Sequence, residues 1–114
     1  MSSNSYKKGL WAESFAKNYL YVKGYSILAQ RFKTPLGEVD IIAKRLKTIV
    51  FVEVKMRQTL SEAAESINFK NRSRVSNAAE LYLQKHPEYN NFEIRFDALV
   101  LAPYAWPEHI TNAW

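Results

Sequence analysis

A chain of 114 residues that is 47% hydrophobic holds enough apolar material for one core and too little for two. A single domain over 1–114 is therefore expected, with its core over about 5–101 and an aromatic tail over 102–114. The absence of cysteine excludes disulfides, zinc–thiolate sites and thiol nucleophiles. A formal charge of +5, concentrated at 44–47 and 70–74, favours a polyanionic partner. No apolar run nears the roughly 20 residues that span a bilayer, and residues 1–8 are polar, so a cytoplasmic protein without membrane contact is expected.

Residues 5–23 carry helical periodicity. Trp11, Phe15, Tyr19 and Val22 share one face, with Ala12 and Ala16 beside them and Ser14, Lys17 and Tyr21 opposite. Glu13 falls on the flank of the apolar face, and Gly24 ends the helix. A first strand over 25–32, a turn at Thr34-Pro35-Leu36-Gly37, a second strand over 38–44, a connection at Arg45-Leu46-Lys47 and a third strand over 48–55 follow. Residues 59–67 read as a short helix or a loop. Helical spacing returns over 71–85, where Val75, Ala78, Ala79 and Tyr82 form a stripe that stops at His86-Pro87. Lys70, Arg72 and Arg74 crowd its first turn. A fourth strand over 92–101 becomes wholly apolar at Ala98-Leu99-Val100-Leu101, as in a strand covered on both faces. The order αβββαβ predicts an α/β protein with helices covering a sheet.

Charged residues interrupt the most apolar strands. Val50, Val52 and Val54 point to one face of the third strand, which sends Phe51, Glu53 and Lys55 to the other. Asp40 sits among Val39, Ile41, Ile42 and Ala43, and a hairpin of the second and third strands brings it opposite Glu53. Buried ions cost several kcal/mol, roughly, unless paired or bound to a metal. Two readings follow. In one, Asp40, Glu53 and the Val54 carbonyl hold Mg²⁺ or Mn²⁺, and Lys55 orients water or neutralises charge in phosphodiester hydrolysis. In the other, the charges are structural ion pairs, Glu53 with Lys55 or Asp40 with an arginine. Glu13 is a further catalytic candidate, and it is equally well read as a solvated charge.

Arg57, Lys70, Arg72 and Arg74 are candidate nucleic-acid contacts, with a solvated basic face as the alternative. Asp97 beside Arg95 reads as a structural pair. His86 and His109 stand alone, which disfavours histidine-dependent nuclease chemistry. Trp114, Trp106 and Tyr104 read first as cover for the domain's own sheet, with stacking on bases or sealing a dimer as the alternatives.

Asp40 followed by Glu53-Val54-Lys55, with Glu13 on a preceding helix, resembles the PD-(D/E)XK nuclease motif as arranged in archaeal Holliday-junction resolvases. Gly37-Glu38-Val39-Asp40-Ile41-Ile42-Ala43, Phe51-Val52-Glu53-Val54-Lys55 and Arg95-Phe96-Asp97 are closer still to the small bacterial YraN-like family related to those nucleases. Gln30-Arg31-Phe32 and Met56 depart from that pattern. The resemblance implies a restriction-endonuclease-like αβββαβ core around a central mixed four-stranded sheet. It also implies a metal-dependent endonuclease acting on nucleic acid, DNA favoured, at branched or damaged structures. Cutting two strands would call for a C2 homodimer. A non-catalytic nucleic-acid-binding or scaffold protein that keeps the fold is the alternative.

Overall fold

The computed structural model describes the backbone of residues 3–114 and the side chains from residue 9 onward. Met1 and Ser2, part of the polar start noted above, lie outside the described residues. Helix α1 (Ser3–Val22) leads into β1 (Ser26–Thr34), β2 (Gly37–Arg45) and β3 (Thr48–Met56). Helices α2 (Leu60–Glu65) and α3 (Phe69–Gln84) and a short 3₁₀ turn (Pro87–Tyr89) carry the chain to β4 (Glu93–Leu101) and β5 (Glu108–Ile110).

The sheet has five strands in the order β1-β2-β3-β4-β5, which corrects the expectation of four. It is mixed: β1, β2 and β3 form an antiparallel meander, β4 runs parallel to β3, and β5 is antiparallel to β4. The parallel step needs a long crossover, and α2 with α3 supplies it. Part of the aromatic tail thus belongs to the sheet. Three residues directly after Pro107 give no alternating signal long enough to read.

Each helix end has a local cause. Gly24, at φ 94°, closes α1. Its N–H donates to the Tyr21 carbonyl and that of Tyr25 to the Leu20 carbonyl, both at 3.0 Å, the paired bonds of a glycine-terminated helix. Asn68 caps α3 and exchanges side-chain bonds with Asn71, so this helix begins earlier than its apolar stripe suggests. Thr59 caps α2 by accepting from Glu62 N–H, which settles 59–67 as helix-forming.

Helix α1 covers one face of the sheet. It buries Ala12, Ala16 and Leu20 against Ile41, Ala43, Val50, Val52, Val54, Leu99 and Leu101. The expected face is therefore displaced: Trp11 and Val22 are exposed and the alanines take the centre. Small side chains let the helix axis approach the valine-rich strand surface, and the aromatic rings are left on the flank. On the opposite face α3 packs Val75, Ala78, Ala79 and Tyr82 over Val39, Ile42, Ile49 and Phe51. Beside it Ala63 of α2 and Ile67, just past its end, pack on Ala98 and Val100. Burial of β4 on both sides explains its unbroken apolar run.

Strict alternation along β2 fails at Asp40, because Val39 joins the α3 cluster and Ile41 the α1 cluster. On β1 the residue at the same rung is Arg31, whose φ of 53° is left-handed; Gln30 pairs with Ile41 and Phe32 with Val39. Both strands turn over here, and the β2–β3 ladder stops at Ile41 opposite Val52. Gly37, at the start of β2, lies so near α3 that a Cβ would run into the Arg74 carbonyl. A side chain at Gly37 would push α3 away from the strand that carries Asp40. Among the described residues no helix is long and apolar enough to cross a membrane.

Candidate active site

Beyond Ile41 the two strands separate, and a carboxylate replaces the missing backbone partner. Asp40 Oδ2 accepts from Val54 N–H at 2.8 Å. In an extended strand the N–H and C=O of one residue point to the same edge, so the Val54 carbonyl faces the same gap. Asp40 and Glu53 thus come together through the splaying of β2 from β3, where simple hairpin pairing had been the expectation.

Glu53 is 7% exposed and lies on the strand face predicted by alternation. Its carboxyl is raised to about 8, first by burial and then by the charge of Asp40 and a hydrogen bond shared with it; Lys55 pulls the other way. Lys55 Nζ stands 3.5 Å from Glu53 Oε2. The structural ion pair weighed from the sequence is therefore present as a contact, alongside a second carboxyl that a simple pair does not require.

Glu13 reaches the same region from α1. Burial and the charge of Asp40 raise its carboxyl, against the lowering effect of Arg31, whose Nε lies 3.0 Å from Glu13 Oε1. Glu13, Arg31, Lys33, Glu38, Val39 and Asp40 line a small open cleft. Arg31 and Lys33 carried no signal in the sequence, because cations on an edge strand read as solubility charges. Among the described residues no group of three or more acidic or imidazole side chains is close enough together to hold a metal ion on its own. The acids at the strand gap come as a close pair.

The basic candidates are more dispersed. Arg57 is exposed just past β3, and its Nη1 donates to the Met56 carbonyl at 2.8 Å. Lys70, Arg72 and Arg74 are exposed on the first turns of α3. The contact between Gly37 and the Arg74 backbone brings that helix beside the N-terminal end of β2. No contact joins these three side chains to the acidic pair.

Asp97 has a different role. It is fully buried and accepts from Arg95 Nε and Nη2, both at 2.8 Å, from His109 Nε2 at 2.7 Å and from Asn112 N–H at 3.0 Å. Burial pushes its carboxyl up, but these bonds outweigh burial and hold it below the usual carboxylate range. Arg95 also donates to Tyr25 Oη at 2.6 Å. Lys23 Nζ lies 2.7 Å from His109 Nδ1. An ammonium group can only donate there, which assigns the ring proton to Nε2. The structural reading of Asp97 holds, and His109, taken as lone from the sequence, completes its shell.

The raised Glu53 carboxyl sets a pH dependence. The folded chain keeps this proton to about 8 and the unfolded chain releases it near 4.5. Between those values the native state binds more protons, so this group's contribution to stability falls as pH rises, by up to about 1.4 kcal/mol per pH unit, and is flat beyond. Glu53→Gln removes the titration. The variant should gain in Tm over the wild type between pH 5 and pH 8, as read by thermal melts of both proteins. A difference that does not change with pH would refute the assignment.

A mixed five-stranded sheet between helices, with an acidic pair and a lysine where two strands part, defines an α/β protein with a concentrated charged site. Residues 12–101 match the family model described as "Uncharacterised protein family UPF0102", and the chain belongs to this UPF0102 (YraN) family. It is 47% identical over 110 residues to a UPF0102 protein of Nitrobacter winogradskyi, covering 96% of this chain and 93% of that one. A UPF0102 protein of Bradyrhizobium diazoefficiens is 46% identical over 110 residues, covering 96% of this chain and 83% of its own. One from Rhodopseudomonas palustris (strain BisA53) is 44% identical, with coverage of 96% and 85%. The matched region contains Glu13, Asp40, Glu53, Lys55 and Asp97.

Proposed function

We propose that this protein is a metal-dependent endonuclease that hydrolyses phosphodiester bonds of nucleic acid, DNA above RNA, through Asp40, Glu53 and Lys55. The observation that carries this reading is the buried Glu53, held against Asp40 with Lys55 at 3.5 Å, at the point where β2 leaves β3. A fold has little to gain from pressing two carboxyls together in its interior. A site that takes up a cation and a phosphate does gain. The order α1-β1-β2-β3-α3-β4, with the acids on β2 and β3, supports a restriction-endonuclease-like core.

The donor set fits a hard divalent cation. Asp40, Glu53 and the Val54 carbonyl would supply oxygens, with water and substrate phosphate completing a shell such as Mg²⁺ or Mn²⁺ prefers. Burial, joined by repulsion from Asp40, now keeps a proton on Glu53, and a divalent charge would relieve that repulsion. When bound, the metal supplies a water of lowered pKa and polarises the phosphoryl oxygen. Lys55 donates to the phosphoryl oxygens and offsets their growing charge. Glu13, held by Arg31, positions the cleft side of the site. Arg57 and the basic start of α3 offer phosphate contacts that carry no base information.

The Arg31–Glu13 contact at 3.0 Å favours a second reading, a nucleic-acid-binding scaffold without catalysis, because it occupies a carboxylate that a larger metal site would use. The deciding experiment incubates the protein with labelled four-way junction, flap, single-stranded and linear duplex DNA in Mg²⁺, Mn²⁺ or EDTA, alongside Glu53→Ala. Metal-dependent cleavage lost in the variant is expected. Salt-sensitive binding with no cleavage in either metal would replace the nuclease with the scaffold.

A further inference from the structure

Trp11, Phe15 and Tyr19 recur at four-residue spacing along α1 with nearly parallel rings. Trp11 lies 5.5 Å from Phe15 at an interplanar angle of 14°, and Phe15 lies 6.2 Å from Tyr19 at 22°. The column is not the core stripe of the helix, and Trp11 stays 56% exposed. Trp11 and Phe15 form part of a groove of about 210 Å³ that also involves Met56, Leu101, Pro103 and Tyr104.

Tyr104 is fully exposed and adopts φ 60°. It occupies the third position of a turn in which Ala105 N–H donates to the Ala102 carbonyl at 3.4 Å, with Pro103 at the second. Positive φ at that position is where glycine is the residue without steric cost. A tyrosine there strains the backbone and recovers nothing by burial, and such outliers gather where chains bind ligands. Trp106 follows at 90% exposure. Fold stability explains neither side chain.

The groove lies on the α1 face of the sheet, where Met56 packs; Met56 directly follows Lys55, whose side chain points to the opposite face of β3. Arg57 is pinned to the rim, since its N–H donates to the Leu101 carbonyl at 3.1 Å and its guanidinium to the Met56 carbonyl. Flat rings with a fixed cation beside them suit a nucleobase and its phosphate. Resting on the nuclease reading above, the geometry points to this groove as a stacking site for unpaired bases of the substrate strand. The substrate class is then nucleic acid with unpaired nucleotides, as in single strands and flaps. The bases of continuous duplex already stack on each other and offer no free face.

The test measures binding in EDTA, where chemistry plays no part. Fluorescence anisotropy follows a labelled single-stranded oligothymidylate, the same strand with abasic sites, and a blunt duplex, for wild type, Trp11→Ala and Tyr104→Gly. Each variant should bind the single strand about tenfold more weakly, and abasic sites should weaken the wild type to a similar extent. Tyr104→Gly should at the same time raise Tm by relieving the positive φ, which separates loss of the ring from loss of the fold. Equal affinity of wild type and variants, or of base-bearing and abasic strands, overturns the groove; metal-dependent cleavage would then leave the nuclease reading standing. Ring-dependent binding without cleavage in any metal supports the groove and removes the nuclease. No binding to any of the strands overturns both.

Discussion

Lys55→Ala should lower metal-dependent cleavage by about 100-fold to 1,000-fold while single-stranded DNA still binds. Removing one preorganised donor from a developing oxyanion costs that much in enzymes built on electrostatic stabilisation. Lys55 is placed for the task by strand geometry, on the same face as Glu53 and 3.5 Å from its carboxyl. The fold should tolerate the change. Lys55 lowers the Glu53 carboxyl, so its loss leaves Glu53 protonated over a wider range and strands no buried charge near pH 7. Tm should therefore move by only a few degrees. Single-turnover cleavage, with Tm and anisotropy as controls, reads all three expectations. Cleavage by the variant within threefold of wild type would make the Glu53–Lys55 contact a structural pair and nothing more.

Asp97→Asn should produce the largest loss of stability. The carboxylate is fully buried and takes four hydrogen bonds, two of them from one guanidinium. Replacing it leaves Arg95 without its counter-charge and exchanges one acceptor oxygen for an amide NH₂, a donor facing donors. Breaking one side of a buried ion pair costs about 3–5 kcal/mol, a large share of the roughly 5–15 kcal/mol that holds a typical domain. A fall in Tm of more than about 10 °C is expected. The C-terminal segment should loosen with it, because Asn112 N–H bonds to Asp97 and Ala113 N–H to the Phe96 carbonyl at 2.7 Å. Faster proteolysis after residue 106 would report this. His109→Ala supplies a milder variant should Asp97→Asn fail to fold, and it should lose part of the same protection. Melting of Asp97→Asn within about 2 °C of wild type would show that the network contributes little.

The site was only partly legible in advance. Glu53 and Lys55 could be placed on one face because a strand period of two leaves no choice once Val50, Val52 and Val54 face the other way. Asp40 could be placed in the strand but not against Glu53, since that meeting depends on a ladder that stops at Ile41 and Val52. The left-handed Arg31 across the rung has no sequence mark, because only glycine and asparagine advertise positive φ. Helix α1 shows a similar limit. Its aromatic residues mark the apolar face in the sequence, yet Ala12, Ala16 and Leu20 lie at the centre of the buried face, because small side chains allow close approach to the valine-rich strands. His109 had nothing beside it in the sequence to mark Asp97 as its partner.

By itself, the sequence determined the order of helices and strands through β4 apart from α2, which it left open as helix or loop, together with the glycine end of α1 and the strand face shared by Glu53 and Lys55. All of these rest on local periodicity and backbone preference. The tertiary structure decided the fifth strand, the gap that brings Asp40 to Glu53, the shell around Asp97 and the exposure of Trp11 and Tyr104. Each of these depends on how segments far apart in the chain pack together, and no local pattern encodes it.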